Sequence, residues 1–217
     1  MLVIISQLLW AAFLVLWIAM SRQNVNTIST SVERESSGSR IVHLLMVAIG
    51  FALMWTGPHL YLSKPAMAKT VILDVFGLLL QVIALTFAAW GRIALGSNWS
   101  GAVTIGDGQR LVRGGPYAWV RHPIYLGFIL AAIGSAIVVG RLEAIFGAVL
   151  ILAAFLRKWR IEEDALRRRF GEDYEVYADH VRAFLPGPDK HRHHAEEQGE
   201  EGPADPDEQT SRERRAG

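Results

Sequence analysis

The chain has 217 residues, of which 51% are hydrophobic, and its mean hydropathy is +0.24. This hydrophobic content is high for a soluble domain of that length, so an integral membrane protein is the first class to consider. The formal net charge of +1 predicts no nucleic-acid partner, and the absence of cysteine excludes disulfides, thiolate metal sites and cysteine nucleophiles.

Three apolar stretches in the first half of the chain are long enough to cross a bilayer as helices. They cover residues 1–20, 41–62 and 71–95, and a bilayer core about 30 Å thick needs roughly 20 helical residues. A cleaved signal peptide is the alternative for the first stretch, but no basic residue precedes its apolar run. We therefore expect three transmembrane helices in this half.

Some residues within these stretches are unusual for a transmembrane helix. Gly57 and Pro58 predict a bend or an end of the second helix. Asp74, Gln81 and Arg92 interrupt the third stretch, and polar groups at such positions should face other helices or the membrane interfaces.

A fourth apolar region covers residues 124–156 and is interrupted near its middle by Gly-Arg-Leu-Glu at residues 140–143. Each arm has about 13 to 16 residues and reaches only about 20 to 24 Å. Two short helices joined by a tight turn fit this pattern better than one long helix, and local thinning of the bilayer covers the shortfall. The predicted fold class is an all-α integral membrane protein with about five transmembrane helices, including this short hairpin.

The distribution of basic residues predicts the orientation in the membrane. The first and third loops carry more arginine than the second loop and the turn of the hairpin, and basic loops stay in the cytoplasm. The amino terminus should therefore lie outside, and the carboxyl terminus and the site built from the third loop should face the cytoplasm. The arginines concerned are Arg22, Arg34, Arg40, Arg92, Arg110, Arg113 and Arg121.

The loop and tail regions complete the predicted organisation. In the loop of residues 96–123, an Asp-Gly turn between the β-prone residues 103–105 and Leu111 and Val112 predicts a small hairpin or a loop, and not another helix. Beyond residue 156, apolar residues at intervals of three or four predict two short amphipathic helices separated by Gly171.

Three regions are therefore expected. Residues 1–95 carry three transmembrane helices, residues 96–186 form a catalytic region with the hairpin, and residues 187–217 form a disordered polar tail. The histidines of that tail are not expected to form a metal site, and no metal is predicted elsewhere.

The residues richest in chemical function lie in the run 109–127, where the polar loop enters the hairpin. Glycines, a proline-fixed turn, two tyrosines and a histidine at a membrane entrance suit a cofactor pocket, because irregular backbone at membrane depth must be covered by protein or line a cavity. A purely structural role is equally compatible with the residues, since Arg121 can snorkel and His122 can cap a helix beginning near Pro123.

Two motifs in this part of the chain resemble a known family. The first is Tyr-Ala-Trp-Val-Arg-His-Pro-Ile-Tyr at residues 117–125, followed by Gly127, and the second combines Glu162 and Glu163 with Phe-Gly-Glu-Asp-Tyr at residues 170–174. In this order, with a short membrane hairpin between them, they resemble the isoprenylcysteine carboxyl methyltransferase family and its phospholipid methyltransferase relatives.

The resemblance implies an enzyme that transfers a methyl group from S-adenosylmethionine to a lipidic or isoprenoid acceptor with a carboxylate, amine or thiol group. It implies catalytic roles for His122 and for Lys158, which stands where the family has an arginine that contacts the substrate carboxylate. Gln109 replaces the family's usual histidine and cannot carry a proton at neutral pH. The cofactor contacts implied are Gln109, Leu111, Val112, Tyr117, His122, Pro123, Ile124, Tyr125 and Glu162.

Two other functions compete with this interpretation. The Arg-His-Pro-x-Tyr-x-Gly segment also resembles the membrane-bound sterol reductases, which use NADPH, although those usually carry Asn and an acidic residue where this chain has Ile124 and Phe128. A non-catalytic membrane scaffold is the other possibility. For the methyl acceptor we expect lateral access from the bilayer, between the third span and the hairpin.

Overall fold

The computed structural model describes residues 1–22, 33–34, 36–60, 65–67, 70–96, 104–105 and 110–185, and these ranges contain six α-helices. Two-residue strands β1 (Glu33–Arg34) and β2 (Thr104–Ile105) pair antiparallel, with Glu33 opposite Ile105. The helices are α1 (Leu2–Arg22), α2 (Ser37–Leu60), α3 (Val71–Leu95), α4 (Pro123–Val139), α5 (Leu142–Phe170) and α6 (Glu172–His180).

The first three helices are long and apolar enough to cross a membrane. The segments that meet this condition are Leu2–Met20, Ser37–Trp55 and Val71–Leu95, and α4 is a shorter apolar helix. Large apolar side chains such as Leu8 and Ile83 are exposed on the surface of the bundle, as expected where lipid replaces water. The predicted all-helical membrane fold is confirmed, and a total of five spans stays a prediction.

The predicted hairpin is present. Helix α4 ends at Gly140, which takes a left-handed conformation with φ of 67° and donates its N–H to Ala136 O at 2.8 Å. A left-handed residue at this position is the usual helix stop, and glycine adopts it without strain. The chain then turns at Arg141 and returns as α5.

Helix α5 differs from the expectation. Its 29 residues run without a break from Leu142 to Phe170, so the first of the two predicted C-terminal helices is a continuation of the hairpin. At 1.5 Å per residue the helix is about 43 Å long, which exceeds the bilayer core. Its second half therefore carries polar residues out of the membrane. Gly171, with φ of 50°, separates α5 from α6 as predicted.

Of the hairpin and the loop considered for residues 96–123, the described residues favour the loop. Thr104 and Ile105 do form a strand, but its partner is β1 in the first loop. Leu111 and Val112 lie in an irregular segment. The Asp-Gly turn and the polar tail fall outside the described residues.

Small residues bring the helices into close contact. Helix α3 packs along α4 and α2 packs along α5. A Cβ atom on Gly134 would lie 2.5 Å from Gly77 O, and one on Gly127 would lie 2.6 Å from Ala84 O. Backbones approach this closely only where side chains are absent, as is usual in membrane bundles.

A buried hydrogen-bond network ties α1, α3 and α4 together. The Ser6 hydroxyl donates to Gln81 Oε1 at 2.7 Å, and the Gln81 amide donates to Ser6 O at 2.9 Å. The Trp10 indole donates to Ser135 Oγ at 2.9 Å. The prediction that Gln81 faces other helices is thereby confirmed, and its burial is compensated because both ends of its amide group are bonded.

Replacing Gly134 with alanine should destabilise the bundle. The added methyl group meets the backbone atoms of Gly77 and Gln81, so α3 and α4 must separate, at a cost of about 1–3 kcal/mol. Thermal unfolding in detergent should show a lower Tm. Gly38→Ala is the control, because a Cβ there meets no described atom within 4 Å. Equal Tm values for the two variants would contradict the packing.

Candidate functional site

The segment ahead of α4 is held against the C-terminal part of the chain. The Arg121 N–H donates to Arg182 O at 2.9 Å, and the His122 N–H donates to Ala183 O at 3.1 Å. Further upstream, the Tyr177 hydroxyl donates to Tyr117 O at 2.6 Å. These bonds join the predicted motif to the residues after α6 as one unit.

A buried glutamate, Glu163, is the centre of this unit. Its carboxylate accepts from Arg121 Nε at 2.9 Å and from the Tyr174 hydroxyl at 2.9 Å, and it lies 3.0 Å from His122 Nε2. The Arg167 guanidinium lies 3.5 Å from its other oxygen. The side chain is only 5% exposed, and a buried carboxylate with several charged partners is stable only while all of them are present.

Arg121 links Glu163 to the end of α6. Its Nη2 atom forms an ion pair with the Glu163 carboxylate at 2.8 Å. Its Nη1 atom donates to the carbonyl oxygens of Ala178 and Val181. Its guanidinium is therefore turned inward, and the snorkelling considered from the sequence does not occur.

The electrostatics of this unit favour an ionised Glu163 and a protonated His122. Burial alone would raise the pKa of Glu163, but the bond to His122 and the charge of Arg121 lower it to about 2. Burial alone would lower the pKa of His122, but its bonds to Glu162 and Glu163 raise it above the usual value. Burial and the charge of Glu163 raise the pKa of Tyr174, so its hydroxyl stays protonated and donates.

Next to this unit lies a second, more accessible carboxylate. Glu162 Oε2 is 3.7 Å from His122 Nδ1, and the side chain is 32% exposed. Burial alone would raise its pKa, but bonds with His122 and Tyr125 and the charge of Lys158 lower it, so it is ionised at neutral pH. The Tyr125 ring stacks on the His122 ring, with centroids 5.4 Å apart and planes at 10°.

The structure brings together four of the predicted site residues: His122, Tyr125, Lys158 and Glu162. Tyr117 is buried in a short 3-10 turn, and the charge of Glu162 adds to burial in raising its pKa. Lys158 precedes Glu162 by four residues on α5, so the two share one face of the helix.

The other predicted residues are placed differently. Pro123 and Ile124 are buried against Gly91 of α3, so contacts with a bound molecule would come from their backbone. Leu111 and Val112 are half-buried in the irregular segment before the turn. Gln109 lies outside the described residues.

His122 occupies the position before α4, and Pro123 is the first helical residue, as expected. The His122 side chain makes no capping hydrogen bond. Both ring nitrogens instead point toward carboxylates, Nδ1 toward Glu162 and Nε2 toward Glu163. His122 is therefore the N-cap residue of α4, as considered from the sequence, but its side chain does not take part in capping.

The contacts of Glu163 and Tyr174 were not predicted from the sequence. Adjacent residues on a helix point in directions about 100° apart, so a Glu-Glu pair beside a buried helix face can place one carboxylate inward and the other toward an edge. The amphipathic spacing of Tyr174 indicated burial, but its hydroxyl partner depends on the tertiary fold.

The stabilisation contributed by His122 should decline as the pH rises. Because its pKa is raised, the contribution is complete below the ordinary value of 6.5 and is lost as the pH passes the higher pKa of the folded state. The Tm difference between wild type and His122→Asn, measured in detergent from pH 5.5 to 9.5, should shrink with pH. His180→Asn, at an exposed position on α6, controls for loss of a histidine. A constant difference would contradict a charged His122.

Comparison with known proteins gives a consistent result. Residues 75–168 match the model of the isoprenylcysteine carboxyl methyltransferase family. A probable protein-S-isoprenylcysteine O-methyltransferase of Oryza sativa subsp. indica is 28% identical over 171 residues, which cover 76% of this chain and 83% of the rice protein. The Homo sapiens protein-S-isoprenylcysteine O-methyltransferase is 30% identical over 125 residues, covering 56% of this chain and 44% of the human protein.

A solved structure has a similar fold. The eukaryotic intramembrane Ras methyltransferase of the same family superposes with a TM-score of 0.51 at 24% identity, over 71% of this chain and 54% of that one. The chain thus spans about half the length of the solved structure, and the likeness concerns the arrangement of the helices.

The described residues thus combine three helices long and apolar enough to cross a membrane with similarity to protein-S-isoprenylcysteine O-methyltransferases. Residues 75–168, less than half of the chain, are thus similar to the isoprenylcysteine carboxyl methyltransferase family. The competing interpretation as a sterol reductase finds no support in these comparisons.

Proposed function

We propose that the protein transfers the methyl group of S-adenosylmethionine to a lipidic or isoprenoid acceptor that carries a carboxylate, amine or thiol. Residues 96–186 form the catalytic region in this proposal. The observation that supports it best is the cluster of His122, Tyr125 and Glu162, which lies where α4 begins and within the segment that matches the family.

The residues at the site fit the chemistry of this cofactor. When bound, S-adenosylmethionine supplies a methyl group made electrophilic by a sulfonium. The Tyr125 ring can face a cation, and its stacking on His122 fixes its orientation. The ionised, partly exposed Glu162 can accept hydrogen bonds from amino or hydroxyl groups.

With a carboxylate acceptor the transfer asks little acid–base work of the protein, whereas a thiol or an ammonium would first have to lose its proton to water. A lone pair of the acceptor forms the new bond to the methyl carbon while the carbon–sulfur bond breaks and its electrons stay on sulfur. A carboxylate acceptor has no proton to lose, so the protein's task is alignment and exclusion of water. Lys158 can hold a carboxylate as a point charge, without the two-pronged geometry of an arginine.

His122 acts in this proposal as a positioning residue. Its side chain is only 4% exposed and its two nitrogens face Glu162 and Glu163. The ring therefore couples the accessible carboxylate to the buried ion-pair unit, which favours alignment of Glu162 over proton transfer to a substrate.

The site faces the cytoplasm in this proposal. It lies at the end of α5 where the last turn carries three arginines, Arg167, Arg168 and Arg169, and basic segments favour that side. The opposite end of the hairpin holds Arg141 and Glu143, whose side chains are 3.8 Å apart.

The packing of α3 against α4 disfavours the lateral route expected from the sequence over the length where the two helices touch. Gly127 and Gly134 bring the two backbones close together there, so an acceptor chain would have to force the helices apart. We therefore propose that the acceptor enters elsewhere around the site.

Transfer is tested with tritiated S-adenosylmethionine and detergent-purified protein. N-acetyl-S-farnesylcysteine, a farnesyl amine and a farnesyl thiol represent the three acceptor groups. We expect label in at least one of them and none with boiled protein. Label only in small water-soluble acceptors would contradict a lipidic substrate, and no label in any acceptor would contradict the proposed reaction.

A further inference from the structure

We propose that the indole N–H of Trp159 donates a hydrogen bond to an oxygen atom of the methyl acceptor. This makes Trp159 a substrate-binding residue of the site, and the inference rests on the proposed function. Trp159 lies outside the two motifs on which the resemblance to a known family rests.

The first observation is an unsatisfied polar atom. The Nε1 of Trp159 is buried and has no hydrogen-bond partner among the residues that the structure describes. Buried indole N–H groups normally find an acceptor, because leaving one unpaired costs free energy. A native structure that keeps such a group beside a binding site calls for an explanation, and a ligand oxygen is the natural one.

The second observation is its position along α5. Phe155, Trp159 and Glu162 follow each other at intervals of four and three residues, so they lie on one face of the helix. Phe155 packs against the rings of Tyr125 and Phe128, at 5.3 and 5.2 Å. Trp159 therefore lies at the boundary between an aromatic region in the bundle and the carboxylates at its end.

The third observation is that the indole is fixed in place. Its ring meets the Phe184 ring at 5.2 Å and 70°, and Phe184 in turn contacts the His122 ring at 5.8 Å. The chain after α6 thus packs Trp159 against the site, and the indole is held beside the His122 cluster instead of turning into lipid.

These positions favour the methyl acceptor, and not the cofactor, as the hydrogen-bond partner of the Trp159 indole. An amphipathic acceptor places its apolar chain among aromatic side chains and its polar group at their boundary, where Trp159 lies. An indole N–H only donates, so it favours an acceptor that offers a carboxylate or carbonyl oxygen and cannot bond to an ammonium group.

The bond can be observed directly by NMR of the indole groups. The chain has seven tryptophans, and the Trp159 signal is assigned in ¹⁵N-tryptophan-labelled protein by its loss in Trp159→Phe. We expect this signal to shift downfield on addition of N-acetyl-S-farnesylcysteine and to stay in place on addition of S-adenosylhomocysteine alone. An unmoved signal in protein that methylates this acceptor, or a shift with the cofactor product alone, would overturn the inference.

Kinetics provide the second measurement. Trp159→Phe should raise KM for the acceptor about 10-fold, the size of one hydrogen bond to a charged group, with unchanged affinity for S-adenosylhomocysteine. Trp55→Phe is the matched control, because its indole nitrogen is also buried without a described partner. The residue before it, Met54, lies against Gly147 of α5. Gly147 is about 18 Å from Trp159 along the helix axis.

The outcomes separate the two proposals. Failure of wild-type protein to bind S-adenosylhomocysteine would contradict the proposed function. Normal binding with an equal KM in wild type and Trp159→Phe would contradict only the role of Trp159.

Discussion

Glu163→Gln should be the most damaging single substitution at the site, lowering the free energy of unfolding by roughly 3–5 kcal/mol. The glutamine keeps the shape but removes the charge that Arg121 and His122 share. Arg121 would then be buried without its carboxylate partner, and His122 would keep only the longer contact with Glu162. Because Arg121 also holds the end of α6, cofactor binding should be lost together with stability.

This result is measured as the Tm of detergent-purified protein, followed by tryptophan fluorescence. For a chain of this size the loss corresponds to a Tm lower by about 6–20 °C. Asp164→Asn is the matched control, since it removes the same charge from the next, exposed residue of α5. Similar Tm values for both variants would show that the Glu163 cluster does not stabilise the fold.

Glu162→Ala should have the opposite profile, with a large loss of binding and a small loss of stability. Glu162 is one-third exposed, and its contact with His122 Nδ1 is longer than that of Glu163 with Nε2. If it accepts hydrogen bonds from the cofactor, its removal should weaken affinity for S-adenosylhomocysteine about 10- to 100-fold.

Calorimetry and thermal unfolding on the same preparation distinguish the two glutamates. Glu172→Ala, at an exposed position in the first turn of α6, controls for loss of a glutamate near the site. Unchanged affinity in Glu162→Ala would refute its assignment to the cofactor, whatever the effect on Tm.

The helices of this protein could be predicted because lipid demands long apolar segments. The bounds expected for α3 agree with the structure, and Gly140 and Gly171 end helices where the sequence indicated. The length of α5 could not be predicted, because a change from apolar to amphipathic pattern does not itself interrupt a helix. The residues of α5 before and after position 156 lie in different environments but belong to one continuous helix.

The site could be predicted only in part, for a related reason. The motif at residues 117–125 identified His122 and Tyr125, and the Glu-Glu pair identified the right turn of α5. Which glutamate faces inward depends on Arg121 and Tyr174, which come from other parts of the chain. The partner of Thr104 and Ile105 was missed likewise, because strand pairing across distant loops leaves no local signal.

The central claim is tested most directly by calorimetric titration of detergent-purified protein with S-adenosylhomocysteine and, separately, with NADPH. We predict saturable binding of S-adenosylhomocysteine that is weakened by Glu162→Ala and is not competed by NADPH. Binding of NADPH without binding of S-adenosylhomocysteine would contradict the methyltransferase assignment and the roles proposed for His122, Tyr125 and Glu162.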